Sequence, residues 1–152
     1  MTAINLITKI NAPIQTVFDL ARNIDIHQAS LNQTNEKAID GKTSGLIEKG
    51  ETVTFRGKHF GIYLKHESKI TQMESPDYFV DEMSRGHFKS FRHEHSFVEK
   101  NGKTAMIDWI EYKTPFGIFG RVFDRIFLKK YLTKILTERN TFIKQTAENE
   151  NH

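Results

Sequence analysis

A β-hairpin can be placed from the sequence alone, because Asn101-Gly102 separates two alternating runs, FKSFRHEHSFVEK and KTAMIDWIEYK. Asn-Gly is the pair that best tolerates the positive φ angles of a two-residue hairpin turn. If Lys100 pairs with Lys103, each step outwards pairs the next residue of the two strands. The register of the whole hairpin then follows from the position of its turn.

That register predicts two distinct faces. The first face carries four cross-strand pairs: Phe97–Met106, His95–Asp108, His93–Ile110 and Phe91–Tyr112. The second face pairs Glu94 with Trp109 and Arg92 with Glu111, and the latter is an opposite-charge pair of the stabilising kind. A slip of one residue would turn every side chain to the other face. The hairpin therefore predicts an imidazole beside a carboxylate on a largely apolar surface, which is either a core or the wall of a pocket.

Length and composition indicate one domain without disulfides. The 152 residues fit a single domain over residues 1–148, followed by a frayed tail at 149–152. The chain has no cysteine, which agrees with a reducing compartment. No stretch approaches the roughly 20 apolar residues of a membrane span, and no apolar signal-peptide core begins the chain. We therefore expect a cytoplasmic location.

The net charge is +3, and basic residues concentrate in the last third of the chain. The members of this group are Arg121, Arg125, Lys129, Lys130, Lys134 and Arg139. Such a group would suit nucleic acid or anionic lipid, although a solvated helix face is the commoner explanation. No exposed aromatic platform accompanies it, so we expect no nucleic-acid partner. Transient contact with a membrane stays open, and the sequence gives no oligomeric state.

The pattern along the chain predicts an α+β domain. Ala3–Ile10 alternates as a strand, Asn11-Ala12-Pro13 begins a short helix, and a second short helix is expected over Asp25–Leu31. Antiparallel strands then follow from residue 36 through the hairpin, giving a curved sheet of about seven strands. Apolar residues recur at helical spacing from about Ile118 to Glu148, which predicts one long amphipathic helix. Because only this helix can cover the apolar face of the sheet, we expect the sheet to wrap around it.

This order of elements resembles the START-like superfamily, also called SRPBCC or birch-pollen-allergen-like, which has the helix-grip fold. The resemblance covers nearly the whole chain and is nearest to the bacterial ligand-binding branch. It rests on these segments: Ile10-Asn11-Ala12-Pro13, Met83-Ser84-Arg85-Gly86, Phe91–Phe97, Asp108–Tyr112 and Pro115-Phe116-Gly117. Members of the superfamily include lipid carriers, hormone receptors and polyketide cyclases. The resemblance implies an apolar cavity between the sheet and the C-terminal helix.

The first functional hypothesis is a binding or carrier protein for a small hydrophobic molecule, such as a lipid, a sterol or a polyketide-like compound. An apolar face with few polar groups would hold and orient such a ligand. The residues expected to line the cavity are Phe55, Ile62, Leu64, His66, Phe79, Phe91, His93, Phe97, Met106, Ile110, Phe119, Phe123 and Phe127. The aromatic members among them serve equally well as ordinary core packing.

The second hypothesis is an enzyme that resembles the polyketide cyclases. A carboxylate bonded to one imidazole nitrogen fixes the tautomer and raises the basicity of the other, so Asp108 would make His95 a general base. Tyr112, on the same face, would polarise a carbonyl of the substrate. The alternative explanation is a buried polar pair whose only role is structural. A third hypothesis is a regulatory module that contacts a protein partner through the long helix.

His93 and His95 point to the same side of one strand and are also candidate metal ligands. His66 would be a third ligand, since it follows the inward pattern of Ile62 and Leu64. Spacing of this kind is a weak indication, because zinc requires three or four ligands and supporting hydrogen bonds. We therefore expect no metal and no cofactor.

Overall fold

In residues 1–150, which the computed structural model describes, seven antiparallel strands form one sheet in the order β1-β7-β6-β5-β4-β3-β2. The elements are β1 (Thr2–Ile10), α1 (Ile14–Ala21), α2 (Ile24–Ser30), a 3-10 turn (Asn32–Thr34), β2 (Lys37–Gly41), β3 (Thr52–His59), β4 (Ile62–Glu74), β5 (Tyr78–Arg85), β6 (Ser90–Lys100), β7 (Lys103–Lys113), α3 (Gly117–Phe123), a π-helical turn (Asp124–Leu128) and α4 (Lys129–Glu150). The curved sheet, the two short helices after β1 and the long C-terminal helix confirm the predicted α+β helix-grip fold.

The β6–β7 hairpin has the predicted register. His95 lies opposite Asp108, and the pairing continues without a break from the turn to Ser90 and Lys113. The turn residues Asn101 and Gly102 have φ angles of 55° and 75°. A two-residue turn with both central φ angles positive matches the twist of the strands, which explains why the pairing begins at this point.

The main core lies between the sheet, α1 and the C-terminal half of α4. Phe18 of α1 is fully buried and makes edge-to-face contacts with Phe79 and Phe97 at ring-centroid distances of 5.6 and 5.3 Å. Ile143 and Ala147 bring α4 into the same cluster. Arrangements of this kind place the positive edge of one ring on the negative face of another. This packing fixes α4 across the sheet and leaves the space towards its N-terminal half less filled.

The C-terminal helix runs continuously from Gly117 to Glu150, but its first part does not bury the expected apolar face. Phe119, Phe123 and Phe127 are 80%, 41% and 57% exposed. The buried positions here are Gly120 and Asp124. A Cβ atom at Gly120 would overlap the carbonyl oxygen of Pro115, and Asp124 accepts hydrogen bonds from the Tyr112 and Thr2 hydroxyls. These two contacts turn the phenylalanines outwards.

The end of the chain follows the same helix. Asn149 and Glu150 of the expected tail belong to α4, and the other two residues of that tail lie outside the described residues. Within residues 1–150, no helix combines the length and the apolar character that crossing a membrane requires.

Candidate ligand cavity

A cavity of about 260 Å³ lies between β3–β6 on one side and α2 with the C-terminal helix on the other. Ligand pockets in proteins are commonly of order 300–1,000 Å³, and this space lies just below that range, so it suits a ligand at the small end. Its apolar wall is formed by Ile24, Leu31, Ile47, Val53, Phe55, Leu64, Ile70, Phe79, Phe88, Phe91, Leu128, Leu132, Ile135 and Leu136. Aliphatic and aromatic residues thus make up most of the enclosure.

Every histidine in residues 1–150 lines this cavity. The six are His27, His59, His66, His87, His93 and His95, and they come from α2, β3, β4, the β5–β6 loop and β6. Two acidic residues of the wall contact these histidines, namely Glu36 and Asp81. Arg139 also lines the wall, and its charge acts on His95. The polar groups form two clusters, one around Asp81 and Asp108 and the other around Glu36. We call them the central cluster and the Glu36 cluster.

His95 is the most enclosed member of the central cluster, with 3% of its surface exposed. Its Nε2 atom donates to Oδ2 of Asp81 at 2.7 Å. The ring stacks on Phe79 at 4.0 Å and on His93 at 3.6 Å between centroids. The Nδ1 atom is buried without a hydrogen-bond partner. His95 is therefore held by one carboxylate and two flat rings, with one nitrogen unpaired.

Burial has opposite effects on the two partners of this hydrogen bond. Burial first, and then the charge of His93, lower the pKa of His95 to about 4. Burial alone would raise the pKa of Asp81, but the hydrogen bond from His95 and the nearby histidines outweigh it and bring the value to about 2. At neutral pH the pair is thus a neutral imidazole donating to a carboxylate.

Asp108 is fully buried and forms the other centre of the cluster. It accepts from Nε2 of His93 at 2.7 Å and from Nδ2 of Asn140 at 2.8 Å, and NH1 of Arg139 lies 3.5 Å away. Burial opposes ionisation of Asp108, but the hydrogen bond from His93 and the charge of Arg139 outweigh it and lower its pKa. A buried carboxylate with this many donors is ionised and tightly held.

The sequence places His95 next to Asp108, and the structure confirms that they are cross-strand neighbours. The hydrogen bonds, however, follow another pattern: Asp108 bonds His93, while His95 bonds Asp81. Nδ1 of His95 lies 3.5 Å from Oδ1 of Asp108. Nε2 of His93 lies closer to the same oxygen, at 2.7 Å, and makes the hydrogen bond. Register gives the neighbours of a residue on one face, but side-chain rotamers decide which neighbour is bonded.

Three members of the central cluster were not expected from the sequence. Asp81 stands on β5 opposite His93, so the β5–β6 register would have indicated it. Arg139 is 4% exposed and Asn140 3% exposed, and both come from α4. The prediction that Arg139 belongs to a solvated basic face is wrong, since its guanidinium reaches Asp108 and the carbonyl oxygen of Ala21. A single polar residue in an amphipathic helix gives no signal in the sequence that distinguishes a buried position from a solvated one.

Tyr112 lies apart from this cluster. Its hydroxyl donates to the buried carboxylate of Asp124, and the residue is not part of the cavity wall. Burial and the hydrogen bond to Asp124 raise the pKa of Tyr112. The proposed partner of His95 in an enzyme is thus engaged in fixing the C-terminal helix to β7.

The Glu36 cluster joins the 3-10 turn region to β3 and α4. Glu36 lies 3.6 Å from Nε2 of His27 and 3.8 Å from Nε2 of His59. His59 shares a hydrogen bond of 2.6 Å with the Tyr131 hydroxyl. A Cβ atom at residue 57 would overlap the Glu36 carboxylate, so Gly57 leaves room for it. Burial opposes ionisation of Glu36, but the hydrogen bond from His27 and the nearby imidazoles outweigh it and lower its pKa.

The residues predicted to line the cavity fall into three groups. The first group lines it: Phe55, Leu64, His66, Phe79, Phe91 and His93. The second group, Phe97, Met106 and Ile110, is buried in the core instead of the wall. The third group is exposed and outside the wall: Ile62, Phe119, Phe123 and Phe127. The second group packs under α1 or behind the wall. In the third group, the three phenylalanines lie on the outward side of the C-terminal helix, and Ile62 is exposed at the start of β4.

A metal ion is the other guest that the central cluster could hold. Asp81, His93 and His95 each offer one ligand atom, and these atoms lie within 4.8 Å of one another. His66, the third ligand considered from the sequence, is not in that set. The Nε2 atoms of His93 and His95 are already engaged with carboxylates, and the Arg139 guanidinium lies against the same cluster. A nearby fixed positive charge disfavours cation binding.

Comparison with known proteins supports the fold. No family model and no curated protein sequence matches the chain. A Streptomyces aromatase/cyclase has a TM-score of 0.80 at 10% identity, with 99% of this chain and 96% of that chain covered. A START superfamily protein from Mycobacterium smegmatis has a TM-score of 0.72 at 10% sequence identity, with 97% of each chain covered. A major latex-like protein from Panax ginseng has a TM-score of 0.66 at 15% sequence identity, with 96% of this chain and 97% of that chain covered.

These likenesses show that the chain has the START-like helix-grip fold that its sequence resembles. Identities of this size carry the fold alone, because one fold hosts many unrelated functions.

Proposed function

We propose that this START-like protein binds a small, largely apolar molecule that carries at least one polar group, and that it acts as a binding or carrier protein. The cavity supports this: its wall is mostly aliphatic and aromatic, and its polar side chains gather in two clusters. A ligand with an apolar body would displace water from the wall, which is favourable at roughly 25 cal/mol per Å². Its polar group would be oriented by the histidines.

The state of His95 favours binding over acid–base catalysis. A general base works best with a pKa near the operating pH. The pKa of His95 is about 4, so its free nitrogen is a weak base at neutral pH. The Nδ1 atom nevertheless lacks a donor. A ligand hydroxyl, phenol or protonated carboxyl that donated to this atom would satisfy the one buried nitrogen of the ring that has no partner.

The enzyme is the second candidate function, and the same unpaired nitrogen is the observation that favours it. A cyclase-like reaction would use His95 to accept a proton from a carbon next to a ketone. Binding the substrate would have to raise the pKa of His95 by several units for this to be efficient. Turnover of a β-polyketone by the wild type, lost in His95→Ala, would favour the enzyme over the carrier.

The binding proposal is tested by native mass spectrometry of protein isolated gently from its own host. We expect a mass above that of the polypeptide, released as a small molecule on activation. Leu132 lines the cavity from α4, so Leu132→Trp should fill the space and abolish the added mass. Thr137→Trp, on an exposed position of the same helix, is the matched control and should keep it.

Two results would count against the proposal. One is a polypeptide that carries no added mass in any preparation and shows no thermal shift with fatty acids, sterols or polyphenols. The other is an added mass that Leu132→Trp retains while the variant is folded by circular dichroism, since the ligand would then lie elsewhere.

A further inference from the structure

We propose that the exposed apolar surface beside the cavity mouth docks on a bilayer that contains anionic lipid. The inference rests on the proposed function, since a carrier must exchange its ligand with a membrane or with another protein. The surface, which we call the docking face, comprises Phe116, Ile118, Phe119, Val122, Phe123, Ile126 and Phe127 from the start of the C-terminal helix and Phe60, Ile62 and Tyr63 from the β3–β4 turn.

The docking face is unusually apolar for a surface in contact with water. Phe116 and Phe119 are 83% and 80% exposed, and Ile118 is 62% exposed. Scattered apolar residues on a protein surface need no explanation, but a contiguous group marks an interaction site. The exposure follows from the buried side of this part of the helix, where Asp124 bonds the Tyr112 hydroxyl of β7 and Gly120 packs against the Pro115 carbonyl group.

The two parts of the docking face touch one another and adjoin the cavity. The Phe60 ring meets Phe123 at 5.5 Å and Tyr131 at 4.6 Å between centroids. Phe60, Leu128 and Tyr131 line the cavity. A ligand that leaves the cavity beside Phe60 would therefore pass from the cavity wall onto the docking face.

Basic residues are interspersed with the apolar residues, or flank them, along both segments that form the docking face. Residues 113–137 hold six basic side chains and one acidic side chain, and that one, Asp124, is buried against Tyr112. The basic residues are Lys113, Arg121, Arg125, Lys129, Lys130 and Lys134. The β3–β4 hairpin adds Arg56, Lys58 and Lys65, and residues 52–66 contain no acidic residue. Each basic residue near an anionic bilayer contributes about 1 kcal/mol of attraction.

The charge pattern favours a bilayer over a second copy of the chain. A symmetric dimer through the docking face would bring the same basic groups of two molecules together. Like charges at close range oppose such an interface. An anionic lipid surface instead accepts both the apolar side chains and the positive charges around them.

The test is co-flotation of the purified protein with vesicles of pure phosphatidylcholine and with vesicles of phosphatidylcholine and phosphatidylglycerol in equal parts. We expect the wild type to float with the anionic vesicles, less so with the neutral ones, and less at high salt. The double variant Ile118→Ser and Phe119→Ser should lower the partition coefficient by at least about tenfold. The control Ile7→Ser and Val98→Ser removes two apolar residues of similar exposure from the outer sheet face and should bind as the wild type does.

Three results would overturn the inference: a wild type that stays with the buffer at both vesicle compositions, a docking-face variant that floats as well as the wild type, and a wild type that binds itself through this face in place of vesicles. Circular dichroism checks whether both variants are folded. Native mass spectrometry reads the bound small molecule without vesicles, so a failure of docking is distinguishable from a failure of ligand binding.

Discussion

Nε2 of His93 donates to the fully buried carboxylate of Asp108 at 2.7 Å. The same carboxylate accepts from Nδ2 of Asn140, and this second bond ties the hairpin to α4. Asp108→Asn would remove the charge that faces Arg139 and replace an acceptor by a donor on one side. Breaking one partner of a buried pair costs about 3–5 kcal/mol, so we expect the free energy of unfolding to fall by about that amount.

Urea denaturation followed by tryptophan fluorescence measures this loss. Glu94→Gln is the control, since Glu94 makes a partly exposed ion pair with Arg92, and exposed pairs contribute at most about 1 kcal/mol. Similar losses in the two variants would show that the central cluster is not the tightly coupled group described above.

Folding stability should fall between pH 6.5 and pH 4 because of His95. Burial and the charge of His93 lower its pKa from 6.5 to about 4. The unfolded chain therefore binds a proton below pH 6.5 that the folded chain takes up only near pH 4. The free energy of unfolding is therefore at its full value above pH 6.5 as far as His95 is concerned. It decreases as the pH falls towards 4, by roughly 3 kcal/mol at 1.36 kcal/mol per pKa unit.

Unfolding free energies at pH 7 and pH 5 measure this effect, and His95→Gln should reduce the difference between them. Burial also lowers the pKa of His66, so part of the difference should remain in the variant. Asp81 contributes only at lower pH, since its pKa moves from 3.8 to about 2. A wild type equally stable at both pH values would contradict the assignment of a neutral, buried His95.

The hairpin turn should be sensitive to a side chain at Gly102. Its φ angle is 75°, where a β-branched residue is strained. We expect Gly102→Val to lower the free energy of unfolding by about 2 kcal/mol, whereas Lys103→Val, at the exposed first residue of β7, should change it little. Equal effects of the two changes would show that the turn does not determine the register.

The attachment of the C-terminal helix should depend on Gly120. A Cβ atom there would overlap the carbonyl oxygen of Pro115, which is backbone and cannot move aside easily. Gly120→Ala should therefore lower Tm and increase amide hydrogen exchange over α3, even though alanine favours helices. Val122→Ala, at an exposed position of the same helix, should leave both nearly unchanged. Protection of α3 that survives in Gly120→Ala would contradict the close approach.

The sequence carried more information about the sheet than about the cavity. Alternation with period two and one Asn-Gly turn were enough for the β6–β7 register, because a one-residue slip would reverse both faces. The same face was less informative about hydrogen bonding, since the side-chain rotamers of His93 and His95 decide which carboxylate each of them bonds. Asp81 needed the register of a second hairpin, which has no comparable turn signal.

The helix shows the other limit. Its apolar spacing predicted one buried face, but Phe119, Phe123 and Phe127 are exposed, and a polar residue, Asp124, faces the sheet. Conversely, Arg139 is buried on a helix whose other basic residues are exposed or partly exposed. Periodicity locates the apolar positions of a helix but does not show which side of the helix meets the sheet. In the structure, the first part of this helix turns its apolar side chains outwards.

The electron density of the cavity, in crystals of protein isolated gently from its own host, tests ligand binding most directly. We predict continuous density for a small molecule between Leu132 and His66, with a polar group of that molecule within hydrogen-bond distance of a histidine nitrogen. A cavity closed by side chains, or one that holds only separate water molecules in every crystal, would contradict the proposed function.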